Sequence, residues 1–532
     1  MPTTAHVPLI LIRGFGGLDV DDERRVAYQG FNDGTVYPHK RGENYIYEGF
    51  ILKYLKSQWK YHDATNVVGY YRSAIADEIE LPPDLDGLNP GYFTGDRVII
   101  DAGSAISLVN SPEDPRKSLW VFRYYDLDDR SFAVYGKALV RLIDFVRDLT
   151  VIKTRQPKPP VNIIAHSMGG LLVREAVQCT FPALGRRADE HINKIVTLGT
   201  PHQGITFQGI RDWKFVEAEQ ELERFNPKAQ ADPDNAWSFV NFHKHFPPER
   251  LLTVVGTNYR SYAVQGATRL NRLFSTPHEY GWNYNRSDGL VKHTAAQMPG
   301  APRTFVHKCH GGDDSVVTAR ESFEVATRFF HGDAYARINL LSAQIKRGFD
   351  RIGKSEMFFG MSLKPRRVDF DLFHQSPEAE NCYGPFRTRD LTDSLAANDG
   401  FDWAGPDRLI WEGWFDTARI NPASPRPADA AGRRDLVVRL DFYVGERDLF
   451  GVGFSDNVIF RKQYYIRVVA AGAADLSQSL EQVELYLYRD EKFSETAHAD
   501  KLAFENGFWS FEIEGTGFAA TLGIRIAAVP RD

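Results

Sequence analysis

The chemistry-bearing residue of this chain is Ser167, set in Val161-Asn162-Ile163-Ile164-Ala165-His166-Ser167-Met168-Gly169-Gly170. An apolar run ends there in a turn of small residues, and Leu171-Leu172-Val173-Arg174-Glu175-Ala176-Val177 continues with helical periodicity. A strand, a sharp turn and a helix hold a serine hydroxyl above the end of a buried sheet, with Ala165 and Gly169 as the tiny neighbours that such a turn demands. A helix beginning behind the serine also offers free N–H groups and partial positive charge to an oxyanion. A serine hydroxyl is a poor nucleophile at neutral pH. It needs a histidine to take its proton and a carboxylate to orient that histidine.

Both partners have candidates downstream. Asp288 lies in Asn285-Arg286-Ser287-Asp288-Gly289-Leu290-Val291, where it reads either as the acid or as a turn former beside glycine. The segment His307-Lys308-Cys309-His310-Gly311-Gly312-Asp313-Asp314-Ser315 follows a strand and precedes a helix, and it offers His307 and His310 as the base. Upstream, Arg13-Gly14-Phe15-Gly16-Gly17 closes an apolar strand. Its glycines suit a loop that turns backbone N–H groups inward as a second oxyanion donor. A dinucleotide loop would open a helix, whereas the charged stretch 18–25 follows here. His166 and His202 read as structural histidines, and Cys309 as a small packed residue. His243 and His245 read as solvated surface, because nothing nearby in sequence completes a metal site.

The 532 residues allow two to four domains by the usual range of about 100–200 residues each. With 43% hydrophobic and 25% charged residues the composition is that of a globular protein, and a net charge of −6 argues against a nucleic-acid binder. Aromatics, at 13%, suit thick cores and apolar clefts. No apolar run approaches the roughly 18 residues that cross a bilayer. The opening residues lack the layout of a signal peptide, so a cytoplasmic location is the default and signal-independent export stays open. Cys179, Cys309 and Cys382 are too few for a disulfide framework or a zinc site.

Strands are expected at 7–12, 119–125, 161–166, 192–198, 251–256 and 304–306, with helices between them. The helix after 119–125 has Asp128 or Asp129 as its cap. Strand, helix and strand at this spacing make a parallel crossover. Residues 18–115 read as an insertion near a cleft mouth. The aromatic stretch 205–249 reads as a lid over an apolar pocket or as a helical hairpin packed into the core. The first domain is therefore expected at 1–335. From 340 to 532, short alternating runs at 436–444, 464–469, 483–488, 508–513 and 522–527 predict an antiparallel β-sandwich.

Four motifs in order resemble the α/β-hydrolase lipases, with bacterial triacylglycerol lipases and related lipid-ester hydrolases as the nearest likeness. They are Gly14-Phe15-Gly16-Gly17, Ala165-His166-Ser167-Met168-Gly169-Gly170, Thr197-Leu198-Gly199-Thr200-Pro201-His202-Gln203-Gly204 and Ser287-Asp288-Gly289-Leu290-Val291. The resemblance spans about residues 7–330 and implies a doubly wound, mostly parallel sheet with cap or lid insertions. It makes Ser167 the nucleophile, Asp288 the acid and His310 the base, with the backbone N–H groups of Phe15 and Met168 as the oxyanion hole. It departs from the family at Arg13, where a histidine is usual, and in the longer offset from His310 to Asp313 and Asp314, which leaves calcium without support.

The resemblance implies a serine carboxylic-ester hydrolase acting on lipid-like esters, with no cofactor and no metal. The alternatives are a phospholipase-type effector brought to membranes by the C-terminal domain, or an acyltransferase using the same residues. Expected partners are a lipid or acyl-ester substrate and a lipid interface, and no oligomeric state follows.

Overall fold

The computed structural model describes residues 6–14, 49–68, 82–93, 100, 102–122, 131–205, 224–262, 285–312, 314–346, 355–366, 368–386, 408–417, 435–448, 457–470, 483–490, 492–494 and 496–529. The chain divides into two compact units. One is Met1–Asn271, Ser287–Pro302 and Lys308–Phe323, and the other is Arg272–Arg286, Arg303–His307 and Glu324–Asp532.

The first sheet has seven strands: β1 (Leu9–Ile12), β2 (His62–Val68), β3 (Ser118–Phe122), β4 (Val161–His166), β5 (Ile192–Leu198), β6 (Leu251–Gly256) and β7 (Arg303–Val306). Their spatial order is β2-β3-β1-β4-β5-β6-β7. The pairs β2–β3, β3–β1, β1–β4, β4–β5 and β5–β6 are parallel. Parallel strands are covered on both faces, which is why β1, β3, β4 and β6 are unbroken buried runs rather than alternating ones. From β1 the chain goes to β2 and β3 on one side, then crosses back to β4 and moves outward on the other. The strand order thus reverses between β1 and β4, the kind of switch point at whose strand ends doubly wound sheets bind ligands. Ser167 stands at that point.

The first helices are α1 (Phe50–Lys56) and α2 (Ala102–Asn110). The crossover from β3 to β4 is α3 (Phe132–Thr154), whose buried stripe includes Phe132, Tyr135, Leu139, Leu142, Ile143, Val146 and Leu149, as its helical spacing predicts. Ser131 occupies its N-cap, while Asp128 and Asp129 lie outside the described residues. Within the stretch read from sequence as an insertion, His62–Val68 pairs with β3 at the sheet edge. Its sequence, His-Asp-Ala-Thr-Asn-Val-Val, lacks the apolar run of a central strand. The remainder of that stretch at 18–48, 69–81, 94–99 and 101 lies outside the described residues, as do 206–223 of the aromatic segment. The part of that segment that is described forms α5 (Pro227–Ala231) and α6 (Phe239–His245), and Phe225, Phe242 and Phe246 are buried in the core.

The second unit is an antiparallel β-sandwich. One sheet contains β9 (Ser355–Pro365), β10 (Tyr383–Phe386), β12 (Leu436–Asp448), β13 (Asn457–Ala470), β14 (Val483–Tyr488) and β15 (Asp500–Lys501). The other contains β8 (Ala334–Ile345), β11 (Leu409–Phe415), β16 (Phe504–Glu505), β17 (Phe508–Glu514) and β18 (Phe518–Ala528). Their orders are β10-β9-β12-β13-β14-β15 and β11-β8-β18-β17-β16. Phe518 of one sheet meets Phe359 and Phe460 of the other with ring centroids 6.0 and 5.3 Å apart. These contacts fix the inner faces and explain the period-two burial along the strands. Among the described residues no helix is long and apolar enough to cross a membrane.

Candidate active site

Ser167 sits between β4 and α4 (Met168–Glu175) with φ 53° and ψ −129°. A side-chain-bearing residue pays about 1–3 kcal/mol for such a backbone, so surrounding contacts must hold it. They do so through close packing. A Cβ on Gly169 would lie 2.4 Å from the Arg13 carbonyl oxygen and 2.9 Å from that of Ile12, and one on Gly170 would lie 2.2 Å from Thr200 Oγ1. The small residues after the serine thus let the elbow press against the end of β1 and the loop after β5. Ala165 is fully buried and pairs in register with Ile12 and Thr197. The Ser167 N–H donates to Leu198 O at 2.9 Å, which pins the turn to the neighbouring strand.

His310 reaches this serine from a loop more than 140 residues away. Its Nε2 is 2.9 Å from Ser167 Oγ, and its Nδ1 is 2.8 Å from Asp288 Oδ2. Asp288 is 1% exposed, and its other oxygen accepts the N–H groups of Leu290 at 3.0 Å and Val291 at 2.8 Å. One carboxylate therefore shapes its own turn with Oδ1 and holds the imidazole with Oδ2. The loops are further joined by the His310 N–H donating to Asp288 O at 2.9 Å. With Nδ1–H directed to the carboxylate, Nε2 is the acceptor for the serine hydroxyl, the tautomer that lets a histidine take that proton. Ser167 itself is half-buried. His307 is elsewhere, its ring 5.4 Å from that of His374. Phe15 lies outside the described residues, and Met168 opens α4, where first-turn N–H groups lack helical acceptors.

Two further histidines support the arrangement. His166 Nε2 donates to His310 O at 2.9 Å, and the two rings are 4.9 Å apart. Burial, then the proximity of His310, holds the pKa of His166 well below the usual histidine range, so it is neutral. His202 Nε2 is 3.1 Å from Thr197 Oγ1, and burial followed by the Arg174 charge likewise keeps it neutral. Cys309 is fully buried, its Sγ is 3.2 Å from Gly311 O, and burial pushes its thiol up to about 12. That removes it from nucleophilic chemistry at neutral pH.

Three supporting residues carry no assigned role in the sequence reading, although Gly199 lies within the Thr197–Gly204 motif. Gly199, at φ +55°, abuts the Asp288–His310 pair: a Cβ there would lie 2.8 Å from Asp288 Oδ2 and 3.2 Å from His310 Nδ1. Arg174 lies seven residues after Ser167, on the same helix face as Gly170, and is fully buried. It donates to Gln178 Oε1 at 2.9 Å, His202 O at 2.8 Å, Gln230 Oε1 at 2.7 Å and Trp237 O, and it lies against the rings of Phe225 and Phe239. It thereby ties the elbow helix to the loop after β5 and to residues 225–239. A charged residue on an otherwise apolar helix face was the available signal. The third is Tyr262, whose ring stands edge-on to His310 with centroids 6.0 Å apart. Among the described residues there is no group of three His, Cys, Asp or Glu side chains that could hold a metal ion.

Residues 107–266 match the family model described as a PGAP1-like alpha/beta domain. That span includes Ser167, Gly199, His202 and Tyr262 but ends before Asp288 and His310. None of the curated proteins matches the chain. Among solved structures, it is similar to the Bacillus licheniformis lipase BlEst2 in mature form, at 13% identity over 62% of this chain and 94% of that one, with a TM-score of 0.31. It is also similar to phospholipase PlaB from Legionella pneumophila, at 12% identity over 61% and 78% of the two chains, with a TM-score of 0.28. The metagenomic carboxyl esterase MGS0156 is similar at 13% identity over 58% and 65%, with a TM-score of 0.27.

Proposed function

We propose that this α/β hydrolase is a serine carboxylic-ester hydrolase that works through an acyl-enzyme on Ser167. The observation that carries the reading is the unbroken chain of contacts from Ser167 Oγ through His310 to Asp288, at 2.9 and 2.8 Å. In the first step Ser167 Oγ attacks the ester carbonyl while its proton passes to His310 Nε2, and Asp288 stabilises the imidazolium. The tetrahedral oxyanion is met by the Met168 N–H at the positive end of α4, with Phe15 N–H as the second donor. Collapse expels the alcohol, which takes the proton from His310. Water then attacks the acyl-serine with His310 as base again, releasing the acid and restoring the hydroxyl.

The substrate proposed is a lipid-like ester. Support comes from the half-buried rings of Trp237 and Phe239, which Glu175 and Arg174 bind to the elbow helix, since an apolar acyl chain needs apolar cover. The test is a chain-length series of p-nitrophenyl esters, run beside a phospholipid and a triglyceride, with Ser167→Ala as control. Activity rising with chain length and lost in Ser167→Ala is the expected result. Equal fluorophosphonate labelling of the parent and Ser167→Ala would refute the nucleophile assignment. Transfer to an added alcohol in preference to water would instead mark an acyltransferase.

A further inference from the structure

Asp288 and His310 are each followed directly by a glycine, and both glycines face the same side chain. A Cβ on Gly289 would lie 2.4, 2.7 and 2.8 Å from Tyr262 Cβ, Cγ and Cδ1, and Gly289 has φ +106°. A Cβ on Gly311 would meet Tyr262 Cε2 at 3.8 Å. The tyrosine follows the short turn Tyr259–Ser261 beyond β6 and is half-buried, with its ring 84° to that of His310. Among the described residues, His166 and Tyr262 are the two rings that pack on His310.

We propose that Tyr262 is a positioning residue, one that clasps the acid-bearing and base-bearing loops together and so holds the His310 imidazole against Ser167. This rests on the serine-hydrolase reading above. The physical need is specific. The Nδ1–Oδ2 hydrogen bond fixes one atom of the imidazole but leaves the ring free to pivot about that contact, which would carry Nε2 away from Ser167. An edge-on ring blocks the pivot. The absence of side chains at Gly289 and Gly311 lets the tyrosine lie against both loops at once. No charge is exchanged with substrate, so the effect falls on geometry in every step that uses the base.

Acylation and deacylation both use His310, and this separates a positioning role from its competitors. The full-length parent, Tyr262→Phe, Tyr262→Leu and Tyr262→Ala are titrated with a fluorophosphonate to count competent sites. The burst and steady-state phases with a p-nitrophenyl ester then give the two rates per site. Tyr262→Leu and Tyr262→Ala are expected to slow both steps by a similar factor, about 10- to 100-fold, with little change in KM, because displacements near 1 Å cost rates of this order. Tyr262→Phe keeps the ring and is expected to stay within about 3-fold of the parent. Parental rates per site in Tyr262→Leu, a loss confined to acylation, or a loss wholly explained by fewer titratable sites would each overturn the proposal. The first result would deny any role, the second would make the ring a contact for the leaving alcohol, and the third would make it a folding element. If instead the parent takes up no fluorophosphonate, or Ser167→Ala retains the activity, it is the ester-hydrolase reading that fails.

Discussion

Gly199→Ala introduces one methyl group between Asp288 and His310, the proposed acid and base, and its consequences divide into two parts of known size. The first is conformational: Gly199 has φ +55°, a region that costs a side-chain-bearing residue about 1–2 kcal/mol. The second is steric. The new Cβ would lie 2.8 Å from Asp288 Oδ2 and 3.2 Å from His310 Nδ1, whereas ordinary contact begins near 3.4 Å. The carboxylate must therefore recede by roughly 0.6 Å, and it is held on its other oxygen by two backbone N–H groups. With about 1 Å of misplacement worth about 100-fold, a loss of roughly 10- to 50-fold in kcat/KM per competent site is expected. Gly185→Ala isolates the first part, because Gly185 has φ +67° and nothing within 4 Å of its Cβ position. Both variants should melt a few degrees lower, at about 2–4 °C per kcal/mol for a unit of this size. Only Gly199→Ala should lose rate. The assay is p-nitrophenyl ester turnover normalised by fluorophosphonate titration, alongside thermal melts. Retention of the parental rate within about 3-fold in Gly199→Ala, or an equal loss in Gly185→Ala, would refute the steric argument.

Asp288→Asn preserves the turn through Oδ1 but presents an N–H to His310, which reverses the tautomer. A fall in kcat of about 10³–10⁴-fold with an unchanged melting curve is expected, measured by steady-state kinetics. Arg174→Met leaves the His202 and Trp237 carbonyls and Gln230 Oε1 without their donor. Thermal and denaturant unfolding should register a loss of about 3–5 kcal/mol. Arg174→Lys should recover little of it, because an ammonium cannot span four acceptors in a planar fork. Acid stability follows from His166 and His202, both buried with pKa values lowered well below 6.5. Below that value the unfolded chain protonates both rings while the native chain does not. Stability therefore falls with falling pH, by about 1.4 kcal/mol per pH unit for each histidine. Unfolding measured from pH 7 to 5 should show a shallower acid limb in His202→Gln than in the parent, and identical limbs would contradict the assignment of His202 as buried and neutral.

Much of this architecture is legible in the linear order of residues because it depends on local period. The mostly apolar segments at 161–166 and 192–198 appear as parallel strands, and alternation after 436 appears as antiparallel ones. The strand at 62–68 was not legible, since an edge strand need not be apolar on both faces and its pairing partner is more than 50 residues away. Asn506-Gly507 between Phe504–Glu505 and Phe508–Glu514 is a local turn signal that the structure uses directly, with φ 53° and 82°.

Around the serine the same division holds. The residues 161–170 by themselves specify a strand, a strained turn and a helix, because small residues at 165, 169 and 170 tolerate the close approach that a buried elbow requires. They do not specify what approaches. That Asp288 and His310 meet there, that His307 turns to His374, and that Gly199 and Tyr262 brace the pair are contacts between segments dozens to more than a hundred residues apart. Spacing along a chain carries no record of such separations. They are decided when the parallel sheet brings the ends of its strands to one edge and close packing sets which neighbours each glycine must admit.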